Sequence, residues 1–90
     1  LIMATYLVIY DLLSPGQDYS AIHAKIKTYK TWARPTESTW IIVTTKSAEE
    51  IRDDIENCID ESYRLLIVKS GTESAWTNLR CSNEWLQKNL

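Results

Sequence analysis

Three apolar, β-branched runs alternate along this chain with two segments of helical period, and that alternation leaves few architectures open. The first run is Tyr6-Leu7-Val8-Ile9-Tyr10, closed by Asp11. The second is Thr39-Trp40-Ile41-Ile42-Val43-Thr44-Thr45, and the third is Tyr63-Arg64-Leu65-Leu66-Ile67-Val68-Lys69. Runs of this composition read as strands, the first covered on both faces and the second central to a sheet. Asp is poorly suited to strand interiors, so Asp11 is expected at the C-terminal end of the first strand, where it brings one carboxylate to the sheet edge.

Ser14-Pro15-Gly16 spells a turn, because Pro presets one dihedral and Gly tolerates positive φ. Asp18 or Ser20 can then cap a helix over residues 19–30, with Tyr19, Ile22, Ile26 and Tyr29 as its packing stripe. Thr31-Trp32-Ala33-Arg34 is a short strand that Pro35 should end. Ser47-Ala48-Glu49-Glu50 is a capping box, the Ser47 hydroxyl accepting from the Glu50 amide and the Glu50 carboxylate from the Ser47 amide. It opens a second helix over residues 48–60 with Ile51, Ile55, Cys58 and Ile59 on its buried side.

The order is therefore β, α, β, β, α, β. Two right-handed βαβ halves interleave into an α+β, ferredoxin-like βαββαβ sandwich, an antiparallel sheet with both helices on one face. The other face lacks a cover. Residues 3–90 form one domain, and its C-terminal extension, residues 72–90, carries Trp76, Leu79, Trp85, Leu86 and Leu90. A second copy of the chain is the natural way to close the exposed face, which predicts a dimer with Trp76, Trp85 and Leu86 at its interface.

Net charge is −2, which argues against a protein that coats nucleic acid through bulk charge. The sum hides a segregation: residues 49–61 hold seven acids against Arg52 alone, while the segments on either side are each +2. If the acidic helix faces elsewhere, Lys25, Lys27, Lys30, Arg34 and Lys46 remain as a basic surface for phosphates. The longest apolar stretch falls well below the roughly 18 residues of a membrane span, and no leader-like segment precedes the first strand, so the expected location is cytoplasmic. Cys58 and Cys81 with a single histidine, His23, do not make a zinc cluster.

Among single residues, Asp11 is the leading acid. One carboxylate cannot hold Mg²⁺, but a nearby twofold axis would supply a second, with Glu37 and Asp18 as supporting acids. The alternative is that Asp11 braces loop amides. His23 has no nucleophilic partner in sequence and reads as a rim residue. Four Trp and five Tyr without a Phe can stack on bases or anchor an interface. Arg34 can contact phosphate or pair with an acid.

The strand ending in Asp11, the stretch Pro15-Gly16-Gln17-Asp18-Tyr19-Ser20, the segment Trp32-Ala33-Arg34-Pro35-Thr36-Glu37-Ser38-Thr39-Trp40, and Ala75-Trp76 before Trp85-Leu86 together resemble the small CRISPR-associated Cas-two family and its divergent SinR-family relatives. The resemblance implies a ferredoxin-like homodimer whose sheets face each other, with Asp11 near the dimer axis. It further implies either a Mg²⁺-dependent endonuclease of RNA or DNA, with Asp11 as catalytic and metal-binding residue, or a non-catalytic scaffold or adaptor; for the endonuclease, Arg34 and Lys30 of the basic surface, with Ser38, are the candidate nucleic-acid contacts. Unlike better-known members, Asp11 is followed by Leu12-Leu13-Ser14-Pro15-Gly16, with no base.

Overall fold

The computed structural model describes residues 2–12, 19–59 and 63–90. The turn expected at residues 14–16, the Asp18 cap, and Asp60 and Glu61 of the acidic run lie outside them. Strand β1 (Ala4–Leu12) is internal to a four-stranded antiparallel sheet ordered β2 (Thr31–Thr36), β3 (Thr39–Thr44), β1, β4 (Tyr63–Lys69). Helix α1 (Ser20–Ile26) connects β1 to β2, α2 (Ala48–Glu56) connects β3 to β4, and α3 (Asn83–Asn89) closes the chain. The α+β class and the βαββαβ order follow the sequence reading.

Alternation along β1 sets the layers, because successive side chains point to opposite faces. Tyr6, Val8 and Tyr10 are buried in one cluster with Trp40 and Ile42 of β3, Ile22 and Ile26 of α1, and Ile51 and Ile55 of α2. Both helices therefore share one face. Each fully buried Val or Ile of that cluster contributes about 1.5–3 kcal/mol. Leu7 and Ile9 point the other way and are only half-buried, so β1 is not closed equally on its two faces as its composition suggested. An alternating burial pattern was masked in the sequence because Leu7 and Ile9 are as apolar as their neighbours.

Several boundaries differ from expectation. β1 continues through Asp11 to Leu12, since both pair with β4, Asp11 opposite Arg64 and Leu12 opposite Tyr63. Asp11 is thus an exposed residue within the strand, not its terminus. α1 stops at Ile26, and tight turns from Thr28 N–H to Lys25 O (3.1 Å) and Tyr29 N–H to Ile26 O (3.1 Å) follow it. Tyr29 is still buried, whereas Tyr19 is 37% exposed at the helix start and departs from the packing stripe. Ser20 is inside α1, not its cap: Tyr19 occupies the cap position and makes no side-chain capping bond. α2 likewise ends at Glu56, leaving Cys58 and Ile59 half-buried in the turn beyond it.

Pro35 lies inside β2 and does not end it. β2 is an edge strand with a register shift between Ala33 and Thr36, and an edge or a bulge is where a strand can dispense with an amide donor. The capping box at α2 forms as read: Glu50 N–H donates to Ser47 Oγ at 3.1 Å, and Ser47 N–H to Glu50 Oε1 at 2.9 Å.

The C-terminal extension covers part of its own sheet. Arg80 N–H donates to Pro35 O (3.0 Å), fastening the tail to β2, and Thr5 Oγ1–H donates to Asn89 O (2.6 Å), fastening α3 to β1. Ala33 and Ile41, on the face away from α1 and α2, are buried, and Leu86 is completely so. Leu7, Pro35, Ile41, Val68, Trp76 and Leu79 line a groove of about 420 Å³ between tail and sheet.

Candidate functional site

Two places gather the residues singled out in sequence, one on each side of the sheet. Asp11 marks the first. Its cross-strand neighbour is Arg64, and Ile9 opposite Leu66 and Leu7 opposite Val68 continue the same face. Leu66 is 54% and Val68 42% exposed, so this half of the open face is, among the described residues, an apolar strip that ends in Asp11 and Arg64. The tail is fastened to Pro35 of β2 and to Thr5 near the start of β1. Glu37 is not beside Asp11: it lines a cleft on the helix side, whereas Asp11 points away from the buried Tyr10 that precedes it.

That cleft is the second place. It has a volume of about 300 Å³ and is lined by Tyr19, His23, Arg34, Glu37 and Ser38. His23, which lines it, belongs to an aromatic cluster assembled from four elements. Tyr10 ends the buried row of β1, Trp40 begins that of β3, Trp32 lies on β2, and His23 is one turn into α1. Trp40 Nε1–H donates to Tyr10 Oη at 3.0 Å, and Tyr10 Oη lies 2.7 Å from His23 Nε2. With its oxygen accepting from Trp40, the Tyr10 hydroxyl can donate a hydrogen bond to His23 Nε2 in the ring tautomer that leaves that nitrogen an acceptor. Burial pushes the Tyr10 phenol above its ordinary value, against the opposing hydrogen bond from Trp40, so the hydroxyl keeps its proton. The Tyr19 ring stacks on His23, with centroids 5.9 Å apart and planes at 26°.

Arg34 closes the cleft. Its Nε–H and Nη2–H both donate to Glu37 O, at 3.1 and 2.7 Å, and its guanidinium lies 5.3 Å from the Trp40 ring centroid. These contacts explain why a base sits on an edge strand beside Pro35: the extra residue of the bulge lets Arg34 reach over Trp40 and hold the β2–β3 turn. Of the three candidate nucleic-acid contacts, Arg34 and Ser38 meet here. Lys30 lines a separate depression with Lys25, Lys46 and Asp54. There the acidic helix does not face away from the bases: Asp54 of α2 accepts from Lys46 Nζ and Tyr29 Oη and lies 3.8 Å from Lys25 Nζ. The expected continuous basic surface is thereby partly neutralised.

Sequence reasoning set His23 aside, and the structure makes it the hub of the cleft. The signal was present in its position four residues after Tyr19, one helical turn, but its contact with Tyr10 and Trp40 needs the sheet. Trp76 Nε1–H donates to Asn83 Oδ1 (3.1 Å), tying the extension to α3, and Trp85 is half-buried. Among the described residues no three His, Cys, Asp or Glu side chains group as metal ligands, so one copy of Asp11 is not a magnesium site by itself. No helix among the described residues is long and apolar enough to cross a membrane. No protein-family model, curated protein or solved structure matches the chain.

Proposed function

We propose that this chain is a Cas-two-like, ferredoxin-like homodimer acting as a non-catalytic scaffold or adaptor, its copies meeting through the β1–β4 half of the open sheet face. The observation that carries this reading is the strip on the β1–β4 half of the face in which exposed Leu66 and Val68 stand opposite half-buried Ile9 and Leu7. A flat apolar sheet surface rimmed by charge suits a self-complementary twofold contact. Asp11 and Arg64 at its end offer an acid and a base that a second copy can meet in reverse order. Among the described residues, the neighbours of Asp11 on this face are Arg64 and the apolar Ile9 and Leu66, not a basic cleft, which favours scaffold over nuclease.

One observation favours a second reading, a Mg²⁺-dependent endonuclease of RNA or DNA. Asp11 is exposed on the face proposed to meet a second copy, so a twofold there brings together two carboxylates where one chain has one. Light scattering at micromolar concentration tests the dimer: a dimer mass for the chain and a monomer mass for Leu66→Asp are expected, and a monomer mass for the unaltered chain overturns it. Calorimetric titration with Mg²⁺ and Mn²⁺, run beside a nuclease assay on labelled single and double strands, separates the two activities. Neither metal heat nor cleavage is expected for the scaffold. Metal binding and cleavage that vanish together in Asp11→Asn would establish the nuclease.

A further inference from the structure

The cleft between α1 and the β2–β3 turn lies on the opposite side of the sheet from the proposed dimer contact, and its chemistry does not depend on that reading. We infer that it is a binding site for a guanine base. Three features select this ligand. First, the cleft offers a ring surface: Tyr19 is 37% exposed and is held in place by stacking on His23. Aromatic faces of this kind take bases readily. Second, the charges at its mouth are of both signs. Arg34 and Glu37 act on Tyr10 in opposite senses, so the site is not built for a bare anion. At about 300 Å³ it is at the lower bound of the roughly 300–1,000 Å³ usual for ligand clefts, suited to one ring system and little more.

Third, the polar groups divide into the two kinds that guanine needs. Arg34 commits two N–H groups to Glu37 O and retains three of the five a guanidinium carries. Among the described residues no acid is ion-paired with it, and the Glu37 carboxylate and Ser38 hydroxyl make no hydrogen bond. Guanine presents adjacent acceptors, O6 and N7, which match an arginine. It also presents adjacent donors, N1–H and N2–H, which match the two oxygens of a carboxylate. Adenine and uracil lack both of those adjacent pairs, and cytosine lacks the donor pair. The ring would stack on Tyr19, with Arg34 and Glu37 reading its two edges and Ser38 available to either.

The test is an NMR titration of the full-length ¹⁵N-labelled chain with the four nucleoside monophosphates, guanosine, inorganic phosphate, and single-stranded hexamers with and without guanine. Guanosine monophosphate should perturb the Trp40 indole N–H and His23 signals and bind at least about fivefold more tightly than the other three nucleotides. Guanosine alone should keep that preference. Glu37→Gln, at an exposed turn position, should abolish the preference while leaving the fold, and Tyr19→Ala should weaken every nucleotide by about tenfold or more. Tighter binding of the guanine hexamer than of the nucleotide assigns the base to a strand; the reverse assigns it to a free nucleotide, and both support the site. Equal affinity for all four nucleotides, inorganic phosphate acting as strongly as guanosine monophosphate, a preference unchanged in Glu37→Gln, or no perturbation at all would each overturn it.

Discussion

Single residues carry consequences here that their types do not announce. Tyr10 reads as one more apolar strand residue, but its hydroxyl accepts from Trp40 and contacts His23, joining strand, sheet neighbour and helix. Tyr10→Phe leaves the Trp40 indole N–H, in a residue 1% exposed, without an acceptor. The variant should lose about 1–3 kcal/mol in urea unfolding, more than the removal of an exposed hydroxyl would cost. Asp54 is the other residue with reach. The hydrogen bond from Lys46, opposed by partial burial and aided by Tyr29, holds its carboxyl below the ordinary value. A lowered folded pKa gives a stabilising contribution that is complete above the unfolded value near 3.8 and is lost as pH falls through the folded one. Asp54→Asn removes that contribution, so its unfolding midpoint should fall less than that of the unaltered chain between about pH 5 and about pH 2. Tyr29 makes the complementary shift: burial and the adjacent Asp54 carboxylate hold its phenol protonated well above the ordinary range.

Elements differ in what fixes them. α2 is set locally, because its capping box satisfies two backbone donors before any packing occurs. Ser47→Ala should therefore cost about 1 kcal/mol in chemical denaturation. α1 is seven residues, too short to be stable by itself, and the packing of buried Ile22 and Ile26 holds it. This is why its length was overestimated: the apolar stripe continues to Tyr29, but the chain turns after Ile26 and keeps Tyr29 inside by a tight turn. α3 depends on Leu86, which is fully buried within its own chain. Leu86→Ala should cost about 2–5 kcal/mol, independent of protein concentration. A loss that shrinks on raising the concentration would mean that α3 docks on a second copy.

At the scale of the whole molecule, the extension and β4 divide the open sheet face between them. Removing residues 72–90 strips the cover that holds Arg80 to Pro35 and α3 to Thr5, so the truncated chain should show a lower thermal midpoint and a tendency to aggregate. A truncated chain with an unchanged midpoint but a halved mass would place the extension at the dimer contact instead. The sequence alone determined the βαββαβ order, the buried stripes of the two connecting helices and the capping box, though not α3, because continuous β-branched runs, 3.6-residue stripes and Ser-x-x-Glu spacing act over a few residues. Arg34 and Ser38, singled out in the sequence, line one cleft, but what surrounds them was not legible. Only the tertiary structure decided that Asp11 and Glu37 lie on opposite sides of the sheet, that Lys25 and Lys46 meet Asp54, and that His23 joins Tyr10 and Trp40. Each of these depends on strand register and on contacts between residues far apart in the chain, and a one-residue change of register would send every such side chain to the other face.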